Sequence, residues 1–427
     1  MILNMNKITI SAGRLAGKIT LPPSKSHTLR AILFGMLANG QSTIYNYLES
    51  PDTDAMIEAC RLFGARFERT PTALTVYGGL DRAVKEVKID AGNSGIVLRF
   101  MTAVGAITSA KVVVTGDESC RVRRPSMPLL QGLQQMGAEV SFSPIAVQGP
   151  IHASKVVMDG ADSQPVSAIM IAASLLEGTT EIIVENLGER PWLNLTLDWL
   201  KRLGVEYEEK GQNCYSITGR GGFAPFTYCV PSDLSSLAFP LTAAILTESD
   251  LIIEDVDLDD IQGDKIILKI LADMGAQFVV NNKNIYVSGP QKLSGCAIDV
   301  NDCIDALPIL AVGACAASGT THLYNGLIAR KKESDRIASM CQELKKMGAD
   351  IVEVSDGLII KESTLYGATL ASHNDHRVAM ALAVAALTAQ GTSWIEGAEC
   401  VQKTYKNFFL EIERLQNSYA KTTTCRL

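Results

Sequence analysis

Two signatures recur along this chain with a period of about 70 residues, and this repetition constrains the fold more than any other feature. The first is a polar or proline-containing start, an amphipathic helix, a Leu-Gly, Phe-Gly or Met-Gly pair, and a short apolar strand. It occupies residues 53–67, 124–140, 190–207, 262–279 and 335–352. A sixth, less regular copy falls at 404–415. The terminating glycines are Gly64, Gly137, Gly204, Gly275 and Gly348, spaced by 73, 67, 71 and 73 residues. The second signature interleaves with the first. An Ala-rich helix ends in Gly or Ser, and a Thr- or Ser-containing strand follows. Its copies begin at Gly40, Ser109, Gly178, Ser249, Gly319 and Gly391, spaced by 69, 69, 71, 70 and 72.

Glycine after a helix supplies the left-handed C-cap conformation. The strands that follow are β-branched and apolar, as in Ile182-Ile183-Val184. Ala-rich helices such as 380–387 lack a polar face and are expected to be buried, with amphipathic helices such as 337–347 covering them. Each repeat therefore holds two helices and several short strands. A chain of 427 residues exceeds one ordinary core. Six units predict an α/β (α+β) protein of two similar domains with three units each. A solenoid is the alternative, but solenoid units usually span roughly 20–45 residues.

The formal net charge is −7, which disfavours nucleic acid and anionic membranes as partners. The longest apolar runs, such as 308–317, fall short of the roughly 18 residues of a membrane helix. The first residues lack the pattern of a secretory signal. Ten cysteines are scattered singly, with no Cys-x-x-Cys pair and no zinc-ligand spacing. The expectation is a cytoplasmic protein with reduced thiols and no metal site. Only residues 422–427 read as disordered.

The charged motifs gather at loop-to-helix junctions. Ser24-Lys25-Ser26-His27-Thr28-Leu29-Arg30 precedes a helix expected over 31–37, and Gly92-Asn93-Ser94-Gly95 precedes one over 96–104. Arg121, Arg123, Arg124 and Pro125 stand before the next helix, and Asp162-Ser163-Gln164 opens another. Arg330-Lys331-Lys332-Glu333-Ser334-Asp335-Arg336, Asn374-Asp375-His376-Arg377 and Lys403 follow. Helix N-termini bear free N–H groups and partial positive charge, so they suit anions. Each motif alone also reads as an ordinary Ser or Asp cap, a tight turn or a solvated basic loop. Basic residues at a helix start oppose its dipole, which marks 330–336. Together Lys25, Arg30, Arg124, Lys332, Arg336, Arg377 and Lys403 form a basic set in an acidic protein, mostly in one phase of the repeat. The expectation is a cationic cleft between two domains for small anionic substrates. No Walker loop, dinucleotide fingerprint or nucleophile elbow occurs in the sequence.

These segments, in this order, resemble the enolpyruvyl transferases, most closely the 5-enolpyruvylshikimate-3-phosphate synthase branch, from about Ile19 to Leu415. The resemblance implies two domains of three βαβαββ units joined by a double crossover. These are 1–22 with 232–427, and 23–231, with hinges near Pro22 and Pro231-Ser232. It also implies domain closure on substrate, no metal, no organic cofactor and a monomer acting in the cytoplasm. The implied reaction moves the enolpyruvyl group of phosphoenolpyruvate to shikimate 3-phosphate. By the same resemblance Lys25, Gly95, Arg124, Gln164, Arg336, Arg377 and Lys403 bind phosphoenolpyruvate. Lys25, Ser26, Arg30, Ser163, Gln164, Asp305 and Lys332 bind shikimate 3-phosphate. Asp305 is the acceptor-side base, and Lys25 and Glu333 are the remaining acid/base groups.

Four acceptor-side positions depart from the commoner family pattern. Asp162 and Glu189 stand where serines are usual, Trp192 replaces a tyrosine, and Ile328 replaces an asparagine. Ile96 and Phe100 also differ from the usual residues after the Gly95 turn, which implies weakened inhibition by glyphosate. Two alternatives stay open on the residues. One is a sister transferase acting on UDP-N-acetylglucosamine, whose loop cysteine has a counterpart in Cys120. The other is a non-catalytic anion-binding protein, against which the presence of both Asp305 and Glu333 argues.

Overall fold

The computed structural model describes residues 7–124, 126–211 and 213–424. Pro125, the second residue of the Arg124-Pro125 pair, lies outside them. Residues Pro23–Pro231 form one compact unit, here the inserted unit. The described residues up to Pro22, with those from Ser232 onward, form the other, here the discontinuous unit.

The inserted unit carries α1 (Lys25–Leu37), α2 (Pro51–Arg61), α3 (Gly95–Ala106), α4 (Met127–Gln135), α5 (Ser163–Ala173) and α6 (Arg190–Arg202). The discontinuous unit carries α7 (Leu234–Leu246), α8 (Ile266–Asp273), α9 (Leu307–Cys315), α10 (Arg336–Lys346), α11 (His376–Thr388) and α12 (Phe408–Thr424). No described helix is long and apolar enough to cross a membrane. The tail expected to be disordered from Thr422 instead continues α12 as far as Thr424, and residues 425–427 lie outside the described range.

The sheets repeat one plan. Lys155–Asp159 and Thr179–Glu185 pair in parallel, with α5 between them in the chain, as a parallel crossover requires. After α6, Glu206–Glu209 and Cys214–Thr218 add two antiparallel pairings, completing βαβαββ. Glu86–Asp90 with Lys111–Thr115, and Thr227–Cys229 with Gln41–Tyr45, begin the other two sheets of this unit. In the discontinuous unit the parallel pairs include Ala16–Thr20 with Asp250–Glu254, and Ala297–Asp299 with Thr320–Tyr324. The sixth sheet is the irregular one. Thr369–Ala371 pairs in parallel with Thr392–Glu396, and Lys7–Ser11 supplies the antiparallel neighbour.

The repeat signatures have direct structural causes. All five glycines that end the amphipathic helices have φ between +74 and +104°, where a Cβ is disfavoured. Strands such as Glu86–Asp90 alternate exposed and buried residues, so one face packs on helices. Every residue of α3 and α9 is buried, as is α11 from His376 to Leu387. These helices need no polar face because the amphipathic ones cover them. α7, α9 and α11 pack on one another, as do α3 and α5.

Candidate active site

The helix starts lie earlier than the apolar periodicity predicts. α1 begins at Lys25, not Ala31, because Ser24 caps it by accepting from the His27 N–H at 3.4 Å. Lys25, Ser26 and Arg30 are therefore helical residues of the first two turns, not loop residues. α11 likewise begins at His376, capped by Asp375, and α10 at Arg336, capped by Asp335. Arg121 and Arg123 lie exposed in the π-helical turn Ser119–Arg123, whereas Arg124 is buried.

In the inserted unit, Arg30 is 2 % exposed. Its Nε and Nη2 donate to Thr196 Oγ1 at 3.1 and 2.8 Å. Nη1 reaches the Ser26 carbonyl at 3.2 Å, and the guanidinium lies 5.2 Å over the Phe100 ring. Among the described residues it has no carboxylate partner, and burial pushes its pKa down to about 9. An anion beside it would restore the lost stabilisation of its charge.

Gly95 stands at the first position of α3, behind the Ser94 cap. A Cβ there would lie 2.7 Å from Arg99 Nη1, 2.9 Å from Arg124 Nη1 and 3.1 Å from Gln164 Oε1. Arg124 Nη2 donates to Asn93 Oδ1 at 3.1 Å, and its Nη1 to the Asn93 carbonyl at 3.2 Å. Asn93 in turn donates to Asp117. Burial works against the Asp117 charge. Hydrogen bonds from Ser119, the Cys120 N–H and Asn93, with the field of Arg124, nevertheless hold its carboxyl below the usual range. Arg99 was not singled out from the sequence. It donates to Gln164 Oε1 at 2.7 Å and pairs with Asp162 at 2.7 Å, so it orients both. Its only sequence signal is an arginine one turn after Gly95 in an otherwise apolar helix.

Ser163 is already engaged. Its N–H and Oγ donate to Glu189 Oε2 at 3.1 and 3.2 Å. Trp192 is partly buried, and Ile328 is buried. Cys120 is 1 % exposed, which removes it from ready contact with a substrate.

In the discontinuous unit, Arg336 is the centre of a carboxylate cluster and 1 % exposed. Nη1 donates to Asp305 Oδ1 at 2.6 Å, Nη2 to Glu333 Oε2 at 3.2 Å, and Nε to Asp375 Oδ2 at 2.8 Å. Burial opposes its charge, but Asp375, Asp305 and Glu333 outweigh it and raise the pKa. Lys403 Nζ donates to Glu333 Oε1 at 2.7 Å. Arg377 Nη2 donates to Asp305 Oδ2 at 3.2 Å and to Ser235 Oγ. Its Nε and Nη1 are buried with no hydrogen-bond partner among the described residues. Asp305 keeps 23 % of its side chain exposed, so it can be reached. Lys332 is half-buried at the end of the short turn Leu327–Lys331.

Sequence reasoning gave Asp264 no role, and Asp375 none beyond its place in a motif that also reads as an ordinary cap. Asp375 caps α11 through the Arg377 N–H and accepts from Ser334 Oγ at 3.1 Å, tying α10 to α11 through Arg336. Burial raises the Asp264 pKa to about 8, with repulsion from Asp305 and Asp233 adding and Arg377 partly offsetting. It sits beside Asp305 as an acid that holds its proton into the neutral range.

Residues 10–412 match the family described as EPSP synthase (3-phosphoshikimate 1-carboxyvinyltransferase). A 3-phosphoshikimate 1-carboxyvinyltransferase of Chlamydia caviae is 45 % identical, with 93 % of this chain and 91 % of that protein covered. One from Acetivibrio thermocellus is 39 % identical, covering 98 % and 99 %. The solved EPSP synthase of Acinetobacter baumannii superposes with a TM-score of 0.80 at 29 % identity, covering 96 % of this chain and 98 % of that one. With the family match spanning nearly the whole chain, and relatives this similar covering almost all of it, the chain belongs to the EPSP synthase family.

Proposed function

We propose that this protein transfers the enolpyruvyl group of phosphoenolpyruvate to the 5-hydroxyl of shikimate 3-phosphate and releases phosphate. The observation that carries the reading is the cluster in which Arg336, Arg377 and Lys403 hold Asp305 and Glu333, while the buried Nε and Nη1 of Arg377 have no hydrogen-bond partner among the described residues. Anion binding alone needs no carboxylates among the cations. A proton-transferring site needs carboxylates held ionised, and neighbouring cations do that.

The reaction follows from the residue chemistry. Arg124, Arg336, Arg377, Lys403 and Lys25, with Gln164 and the Gly95 backbone, take the phosphate and carboxylate of the donor. Ser26, Arg30, Ser163, Gln164 and Lys332 take the acceptor. Asp305 receives the proton of the attacking hydroxyl as its oxygen bonds to C2 of the donor. The methylene carbon C3 gains a proton, giving a tetrahedral intermediate. C3 then loses a proton, the C2–O bond to phosphate breaks, and the double bond re-forms. Lys25 and Glu333 carry the two transfers at C3. The sequence is redox-neutral, and its charge is carried by these side chains, so neither metal nor organic cofactor is invoked. The protein acts as a cytoplasmic monomer.

The test is phosphate release. Release should require phosphoenolpyruvate and shikimate 3-phosphate together, and Asp305→Asn should reduce kcat on the order of a hundredfold or more. Release with UDP-N-acetylglucosamine and none with shikimate 3-phosphate would overturn the acceptor. Binding of both substrates without release would favour an anion-binding role.

A further inference from the structure

The start of α5 offers less to an anion than a helix N-terminus usually does. Its first three residues are Ser163, Gln164 and Pro165. The Ser163 N–H is taken by Glu189 Oε2 at 3.1 Å, as is the Ser163 hydroxyl at 3.2 Å. The Gln164 N–H is taken by Asp162 Oδ1 at 3.0 Å. Pro165 has no N–H to give. Each backbone donor of this turn is thus held by a carboxylate or missing.

The two carboxylates come from different elements. Asp162 is the helix cap and is locked by its 2.7 Å pair with Arg99, itself bonded to Gln164. Glu189 comes from the residue before α6 and is 2 % exposed. Its backbone is left-handed, with φ +49° and ψ +38°, which is uncommon for a residue bearing a Cβ. Phosphate and carboxylate are both anionic acceptors, so they cannot share the Ser163 donors, and at contact distance they repel.

We propose that Glu189 is an internal stand-in for the 3-phosphate of the acceptor. It holds the Ser163 N–H and hydroxyl in the unliganded protein, leaves them when the phosphorylated acceptor binds, and so sets the affinity for that acceptor. The inference rests on the acceptor reading above, and on Ser163 taking the 3-phosphate of that acceptor. An internal competitor lowers apparent affinity by the fraction of molecules in which it occupies the site. It acts on the phosphate alone and leaves the affinity for the sugar-like ring and for the donor unchanged.

Calorimetry with shikimate 3-phosphate and with unphosphorylated shikimate tests this on the full chain, using Glu189→Ser and Glu189→Gln. The Ser variant should bind shikimate 3-phosphate about tenfold more tightly, and the neutral Gln variant should fall between it and the parent. Shikimate affinity and the KM for phosphoenolpyruvate should stay level. Unchanged or weaker binding of shikimate 3-phosphate in both variants would overturn the proposal. So would equal shifts for the two ligands, which mark a general structural effect. If the Ser variant does not fold, the Gln variant decides. Turnover by the parent protein is the separate control. Its absence sinks the acceptor reading, whereas turnover with either overturning result sinks only the role of Glu189.

Discussion

Gly95 stands where Arg99, Arg124 and Gln164 converge, so one methyl group there meets all three. Its φ is not left-handed, so alanine suits the backbone and only the space is at issue. Gly95→Ala should raise the KM for phosphoenolpyruvate on the order of tenfold, leave that for shikimate 3-phosphate nearly unchanged, and barely move Tm. Steady-state kinetics with each substrate varied would show it, and an unchanged KM for phosphoenolpyruvate would contradict it. Ile96, next in the chain, is buried in the core, so its bulk bears on the site through the Gly95 backbone. At this scale the sequence was legible where a motif breaks a local rule, as at 330–336. It was not legible at Arg99 or Asp264. Arg99 lies inside a buried apolar helix, and the Asp264 proton depends on burial and on Asp305 and Asp233, which lie far from it in sequence.

The functional side chains cluster at the starts of the buried helices. Ser24, Ser94 and Asp162 cap α1, α3 and α5, and Asp233 and Asp375 cap α7 and α11. Each cap contributes about 1 kcal/mol and fixes where the first turn begins. Periodicity placed the starts of α1 and α11 late, because first turns such as Lys25-Ser26-His27 look like loop until the cap is seen, whereas the start of α5 at Asp162-Ser163-Gln164 was legible. The short turn Gly263–Lys265, which carries Asp264, also permits a pH test. The folded chain holds the Asp264 proton up to about pH 8, whereas an unfolded aspartate releases it near pH ~4. The stability this confers is complete below about pH 4 and is lost as pH rises through about 8. Asp264→Asn is neutral throughout. Relative to it, the parent should lose stability between pH 5 and pH 8.5, on the order of a few kcal/mol, in urea titrations. Parallel pH profiles for the two proteins would refute the assignment.

Among the described residues, five sheets of one four-stranded plan and an irregular three-stranded sixth account for the period of about 70 residues that the glycines display. The period was readable because left-handed C-caps admit few residues besides glycine. The irregularity of the sixth copy was readable too, but not its cause, since Lys7–Ser11 joins that sheet from the opposite end of the chain. The proposed acid–base groups are divided along the chain, Lys25 in the inserted unit and Asp305 and Glu333 in the discontinuous one. The central claim is addition to phosphoenolpyruvate followed by elimination of phosphate. Proton NMR of the reaction run in deuterium oxide tests it most directly. C3 gains a solvent proton and then loses one of three, so the enolpyruvyl product of shikimate 3-phosphate should appear with deuterium in its vinyl positions, alongside free phosphate. A product whose vinyl positions keep all their original hydrogen, or phosphate release without that product, would contradict the account.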